Sequence, residues 1–169
     1  MGRARSQPIR QGSSRALSEA LFYHLERRRL EDVLPGLIEK TVERGWRALI
    51  RTESAERAAA VDALLWTYNE ASFLPHAIAG EGDAALQPVL ITVEENNPNN
   101  ANVLFLVGGA RAPAWLETRN SYDRVVVLFD GRDPEALGAA RQSWKDARTA
   151  GFDVTYWKES ASGRFEKQA

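Results

Sequence analysis

Residues 124–129 read RVVVLF, a β-branched run with no polar break from Val125 to Phe129. A strand with one face in water alternates apolar and polar side chains, whereas an unbroken apolar run is a strand buried on both faces. The same form recurs in the short runs 89–93 (VLITV) and 103–107 (VLFLV), with 47–51 (RALIR) and the aromatic 20–25 (ALFYHL) as further buried strands. Sheets covered on both faces need helices on both sides, and helical segments separate several of these strands. Leu34, Leu37, Ile38 and Val42 fall at helical spacing, with Pro35 near the start and Gly45 as the stop. Ser54 caps a second helix that runs through Ala58, Val61, Leu64 and Leu65 to about Tyr68. Trp115 and Leu116 fall on a short helical piece. Asp133 and Pro134 open a last long helix that Gly151 ends, and 154–157 form a final strand. The pattern predicts an α/β protein, a three-layer α/β/α arrangement around a mostly parallel open sheet. The turn residues ENNPNN at 95–100 suggest a hairpin joining 89–93 to 103–107.

Length and charge bound the rest. The 169 residues suffice for one domain with its own core. We read 1–18 as a disordered extension, 19–160 as the folded domain and 161–169 as a flexible tail. The first residues carry arginines with no apolar stretch behind them, which argues against a secretory signal. No apolar run approaches the ~20 residues that span a bilayer, so no membrane role is expected. The formal net charge of -1 gives no global basic field for nucleic acid, so any charge-based recognition is local. The chain has no cysteine, which removes disulfides, thiolate metal sites and cysteine nucleophiles, and suits a reducing cytoplasm.

Two stretches carry recognition chemistry. On the last helix, Ala136, Ala139, Ala140, Ser143, Ala147 and Ala150 make one face of small residues, which lets a helix lie close to a sheet. Arg141, Lys145 and Arg148 project along the adjoining flank, with Trp144 at the border of the buried face. This is the pattern of a site for an acidic ligand with an apolar end, because guanidinium pairs with carboxylate while indole gives apolar contact. A rim-core tryptophan beside solvated arginines fits the spacing as well. The second stretch, 66–76, gathers Trp66, Tyr68, Phe73 and His76, with Pro75 keeping Leu74 extended. It fits either a loop covering the core or the rim of a protein interface.

Catalytic patterns are weaker. The segment AIAGEGDAAL has Gly80 and Gly82 but lacks the Lys and Ser/Thr of a phosphate loop. The two histidines, His24 and His76, have no zinc-type spacing, so no catalytic residue, metal or cofactor is assigned. The alternative of another class is a nucleotide- or phosphate-ligand enzyme using the strand ends near Asp130, Gly131 and Gly108–Gly109.

Three ordered strings add to this reading: LFYHLERRRLEDVLPGLIEKTVERGWRALIR, then LLWTYNEASFLPHAIAGEG, then LFDGRDPEALGAARQSWKDARTAGFDVTYWK. Together they resemble the chi subunit of bacterial DNA polymerase III, most closely its α-proteobacterial form, over residues 21–158. The resemblance implies a fold like mononucleotide-binding proteins without a phosphate loop. It implies a non-catalytic accessory subunit of the replicative polymerase in the cytoplasm, at the replisome, whose only enzymatic association is with the DNA-directed DNA polymerase, a nucleotidyltransferase. It implies partners: the acidic C-terminal tail of single-stranded DNA-binding protein, and the psi subunit or the clamp loader directly, with DNA reached mainly indirectly. The tail site would match Arg141, Trp144 and Lys145, with Arg148 beside them. The psi or clamp-loader surface would match Trp66 and Phe73, with His76 nearby.

Overall fold

The computed structural model describes residues 18–68, 74–80, 83–112 and 114–168. The strands are β1 (Glu19–Leu25), β2 (Ala48–Arg51), β3 (Ala77–Ile78), β4 (Val89–Thr92), β5 (Val103–Leu106), β6 (Arg124–Asp130), β7 (Asp153–Glu159) and β8 (Phe165–Lys167). The helices are α1 (Leu30–Glu43), α2 (Ala55–Thr67), α3 (Trp115–Ser121) and α4 (Pro134–Thr149). All eight strands join one sheet in the order β3-β4-β2-β5-β6-β1-β7-β8. Every neighbouring pair is parallel except β7 with β8.

The expected three-layer α/β/α fold is what forms. Every residue of β2, β4 and β5 is buried, which is why these runs carry no polar alternation. On one face Phe105, Val126 and Leu128 pack with Leu34 and Ile38 of α1 and with Val61 and Leu65 of α2. On the other, Phe22, Leu104, Val125 and Val127 pack with Trp115 of α3 and with Ala140 and Ala147 of α4. Each of these large buried side chains contributes about 1.5–3 kcal/mol.

Two details correct the sequence reading. Segments 89–93 and 103–107 do not form a hairpin: β4 and β5 lie on either side of β2, each parallel to it. The intervening residues 93–102 run back along the sheet instead. Arg51 holds the start of this return by donating to the carbonyls of Glu94 and Glu95 (2.9 and 3.1 Å). Asn99 holds its end by donating to the carbonyls of Ala48 and Gln87 (3.1 and 3.0 Å). Ten residues at ~3.3 Å each exceed the length of a four-residue strand, so no helix is needed for the crossover. The second correction concerns 161–169, where Phe165–Lys167 add the antiparallel strand β8. Phe165 anchors it against Tyr23, with ring centroids 4.9 Å apart. Ser18, which the sequence reading leaves in the extension, is buried and donates to the carbonyl of Tyr122 at 2.9 Å. Residues 1–17 lie outside the described ones.

The turn after β1 is held by one carboxylate. Glu159, at the end of β7, is buried, and its Oε1 accepts the backbone N–H groups of Glu26, Arg27 and Arg28 at 3.0, 2.8 and 3.1 Å. Arg28 Nε donates to Oε2 at 2.9 Å. Burial alone would raise the Glu159 pKa, but these hydrogen bonds to the charged form outweigh it and lower it from 4.5 to about 2. A depressed carboxylate pKa contributes stability that is complete above 4.5 and lost as pH falls toward 2. Glu159→Gln should therefore cost about 2–3 kcal/mol in urea unfolding at pH 7. The gap to wild type should shrink as the pH is lowered through 4.5 towards 2, and a gap unchanged with pH contradicts this role.

Candidate functional site

Helix α4 is placed by its own sequence. Asp133 accepts from the backbone N–H of Glu135 at 3.0 Å, Pro134 occupies the first turn, and Ala140 and Ala147 are buried. With nothing larger than a methyl group at those two positions, the helix lies close over β6, β1 and β7. At 100° per residue, Arg141, Lys145 and Arg148 fall within an arc of roughly 60°, with Trp144 beside it. All three cations are exposed, while the indole of Trp144 is half-buried. No carboxylate among the described residues lies within ion-pair distance of Arg141, Lys145 or Arg148. They form a short row of unneutralised positive charge.

Trp144 is both core rim and surface. Its ring meets Phe22 edge-on (5.7 Å, 67°) and Tyr156 likewise (5.7 Å, 71°). Tyr156 sits opposite Phe22 in the β1–β7 register, so both point to the α4 side of the sheet. The Tyr156 hydroxyl lies 2.7 Å from His24 Nδ1. His24 is buried, and its Nε2 is 3.2 Å from Glu26 Oε2, a charge contact off the line of a good hydrogen bond. Glu26 in turn lies 3.6 Å from Lys158 Nζ. Burial lowers the His24 pKa, against the opposing pull of Glu26, and Lys158 and Arg141 lower it further. Burial raises the Tyr156 pKa, while Arg141 lowers it. The guanidinium of Arg141 is thus electrostatically coupled to both rings. Tyr156, His24 and Phe22 were not singled out from the sequence; their common face follows only once β1 and β7 are known to pair.

The second stretch lies elsewhere. Trp66, in the last turn of α2, is 54% exposed, and its ring stands 4.7 Å from that of His76. His76 is buried. Its Nδ1 donates to the Leu74 carbonyl, which can only accept, at 2.6 Å, and its Nε2 lies 3.2 Å from Asp62 Oδ1. His76 therefore shapes the patch from beneath and does not present itself to a partner. Phe73 lies outside the described residues. Helix α2 contacts β3 and β4, at the opposite end of the sheet from β1 and β7, and on the other face. At ~4.8 Å per strand, the two patches are on the order of 20–30 Å apart.

The strand ends named in the enzyme alternative do line a cleft, of about 930 Å³, which includes Gly108, Gly109 and Asp130. Six arginines and six carboxylates border it, so their charges cancel and no net field favours a phosphate. Among the described residues no group of three or more His, Asp or Glu side chains is placed to hold a metal ion, and no helix is long and apolar enough to cross a membrane.

The family model described as DNA polymerase III chi subunit, HolC, matches residues 17–155. The chain belongs to the DNA polymerase III chi subunit family. The probable DNA polymerase III subunit chi of Rickettsia prowazekii (strain Madrid E) is 28% identical over 112 residues, 64% of this chain and 68% of that protein. The DNA polymerase III subunit chi of Escherichia coli (strain K12) is 27% identical over 151 residues, 84% of this chain and 100% of that protein. Membership makes the chain a DNA replication protein, a subunit type of the polymerase III assembly. The match to the family model spans β1 through all of α4 and into the start of β7, so it includes both patches described above.

Among the glycines of the described residues, Gly131 leaves the least room for a side chain. A Cβ on Gly131 would sit 1.9 Å from His24 Nε2. Gly131→Ala should therefore destabilise the protein by about 1–3 kcal/mol through forced displacement of the imidazole. Adding His24→Ala should recover part of the loss in thermal or urea unfolding. Full additivity of the two changes contradicts the contact.

Proposed function

We propose that this chi-family protein is a replication adaptor that binds the acidic C-terminal tail of single-stranded DNA-binding protein through Arg141, Trp144, Lys145 and Arg148. The observation that supports it most is the row of exposed, unpaired cations beside a half-covered indole. An acidic tail ending in an apolar residue with a free carboxylate answers each part of that surface. Carboxylates pair with guanidinium and ammonium groups, and the apolar side chain covers the indole. Each exposed charge pair adds only about 0.2–1 kcal/mol, so the apolar anchor must supply much of the affinity.

The exposed indole of Trp66, with His76 beneath it and Phe73 nearby in sequence, serves as the second surface. Its partner is the psi subunit or the clamp loader directly. The separation and opposite faces of the two patches allow both to be occupied at once. With a net charge of -1, the protein reaches DNA mainly through its partners, in the cytoplasm at the replisome, without a cofactor and without a catalytic site of its own.

Fluorescence anisotropy with a labelled acidic peptide copying the tail tests this. Wild type should bind saturably, with affinity that falls as salt is raised. Trp144→Ala should lose about tenfold or more and Arg141→Ala about two- to fivefold while circular dichroism stays unchanged, and Trp66→Ala should lose nothing. Absence of wild-type binding, or binding that survives both α4 changes, overturns the assignment.

A further inference from the structure

The first turn from strand to helix in this sheet carries its own anion. Residues 26–29 lead from the end of β1 into α1, at the C-terminal ends of the strands. Open α/β sheets that take a phosphate hold it at this place, on backbone N–H groups that open a helix. Here the N–H groups of Glu26, Arg27 and Arg28 converge on one oxygen, Glu159 Oε1, at 3.0, 2.8 and 3.1 Å. Successive amides aimed at one point form a nest, a concavity that selects an anion. Arg28 adds its N–H and its Nε to Oε2, at 3.3 and 2.9 Å.

Capping of α1 does not explain this arrangement. Asp32, in the helix's own first turn, already does that by accepting the Arg29 N–H at 2.9 Å. Glu159 reaches the nest from β7, the strand beside β1 and 131 to 133 residues further along the chain. Its side chain is fully buried, and the nest keeps it charged, with a pKa lowered to about 2. Cations surround the nest in excess of what one carboxylate needs. Arg28 is propped over the ring of Phe165, 5.2 Å from its centroid. Arg27 and Arg29 stand exposed on either side of it, with no carboxylate within ion-pair distance among the described residues.

We propose that the turn 26–28 is an oxyanion site of the phosphate-binding kind, and that Glu159 occupies it in cis in place of a free ligand. Beyond its Cα, a glutamate has as many heavy atoms as a phosphate ion, so removing that side chain opens a space of matching size before the same donors. Free phosphate and phosphate esters are excluded here because the nest is already filled. Nothing at this site depends on what α4 binds.

Melting of the full chain as wild type, Glu159→Gly and Glu159→Gln, in inorganic phosphate or acetate against chloride at equal ionic strength, tests this. Glu159→Gly should melt below wild type and regain stability saturably with either anion. At about ten times the dissociation constant its Tm should rise by about 3–6 °C. Wild type has the nest filled, and Glu159→Gln keeps the space occupied by a neutral amide, so both should move by less than about 1 °C. In NMR spectra of Glu159→Gly, the amides of Glu26, Arg27 and Arg28 should move back towards their wild-type positions as phosphate is added. If Glu159→Gly is unfolded without anion, phosphate and acetate should restore its circular dichroism where chloride does not, and no recovery overturns the proposal. Equal shifts in all three proteins mean an adventitious ion effect only and overturn it, as do amides at 26–28 that ignore both anions. Rescue by acetate alone overturns the phosphate-binding character of the site.

Discussion

Burial of both faces of β5, β6 and their neighbours is the constraint from which the rest of this molecule follows. A strand with Val, Leu and Phe on each side must have a helical layer above and below, so α1 and α2 take one face and α3 and α4 the other. Because α4 can cover β6, β1 and β7 only at close range, it presents Ala140 and Ala147 inward. That close approach leaves the single indole of Trp144 half-buried at the helix edge and turns Arg141, Lys145 and Arg148 to solvent. The proposed recognition surface is thus a by-product of how the helix packs.

The two patches owe their independence to the same layering. One belongs to α2 at the β3 end of the sheet, and the other to α4 at the β1–β7 end on the opposite face. A rigid parallel sheet between them fixes their spacing, as the proposed adaptor role requires. Rigidity near the tail site is reinforced by Glu159, which clasps three backbone amides and Arg28 and so fixes the turn bearing Glu26. Balanced charge around the strand-end cleft leaves that region without a comparable recognition chemistry.

Much of this was legible in the chain because unbroken apolar runs, Ser54, Asp133, Pro134 and Gly45 mark element type and ends through local chemistry. The mostly parallel sheet was legible, but the separation of β4 from β5 by β2 was not, since residues 93–102 look like a turn locally and their return path depends on long-range anchors, Arg51 and Asn99. Strand β8 was missed for a related reason: three residues, two of them charged, carry no strand signal, and only Phe165 meeting Tyr23 draws them in. On α4, the adjacency of Arg141, Trp144 and Lys145 was readable from helical spacing, while their assignment to a tail came from the family resemblance and is a proposal. The contact of Tyr156 with His24 was not readable, because they meet only through the pairing of two strands more than a hundred residues apart. His76 lies beside Trp66, but it is buried against Leu74 and Asp62, which the sequence did not reveal.

The central proposal is that an acidic tail is received at α4. The most direct measurement is a backbone amide NMR titration of the labelled protein with the acidic tail peptide. The account predicts concentration-dependent shifts concentrated at 141–148, extending to His24 and Tyr156 and sparing Ala55–Thr67. Shifts centred on α2 or around the cleft at Gly108 and Asp130, or no shifts at saturating peptide, would contradict it.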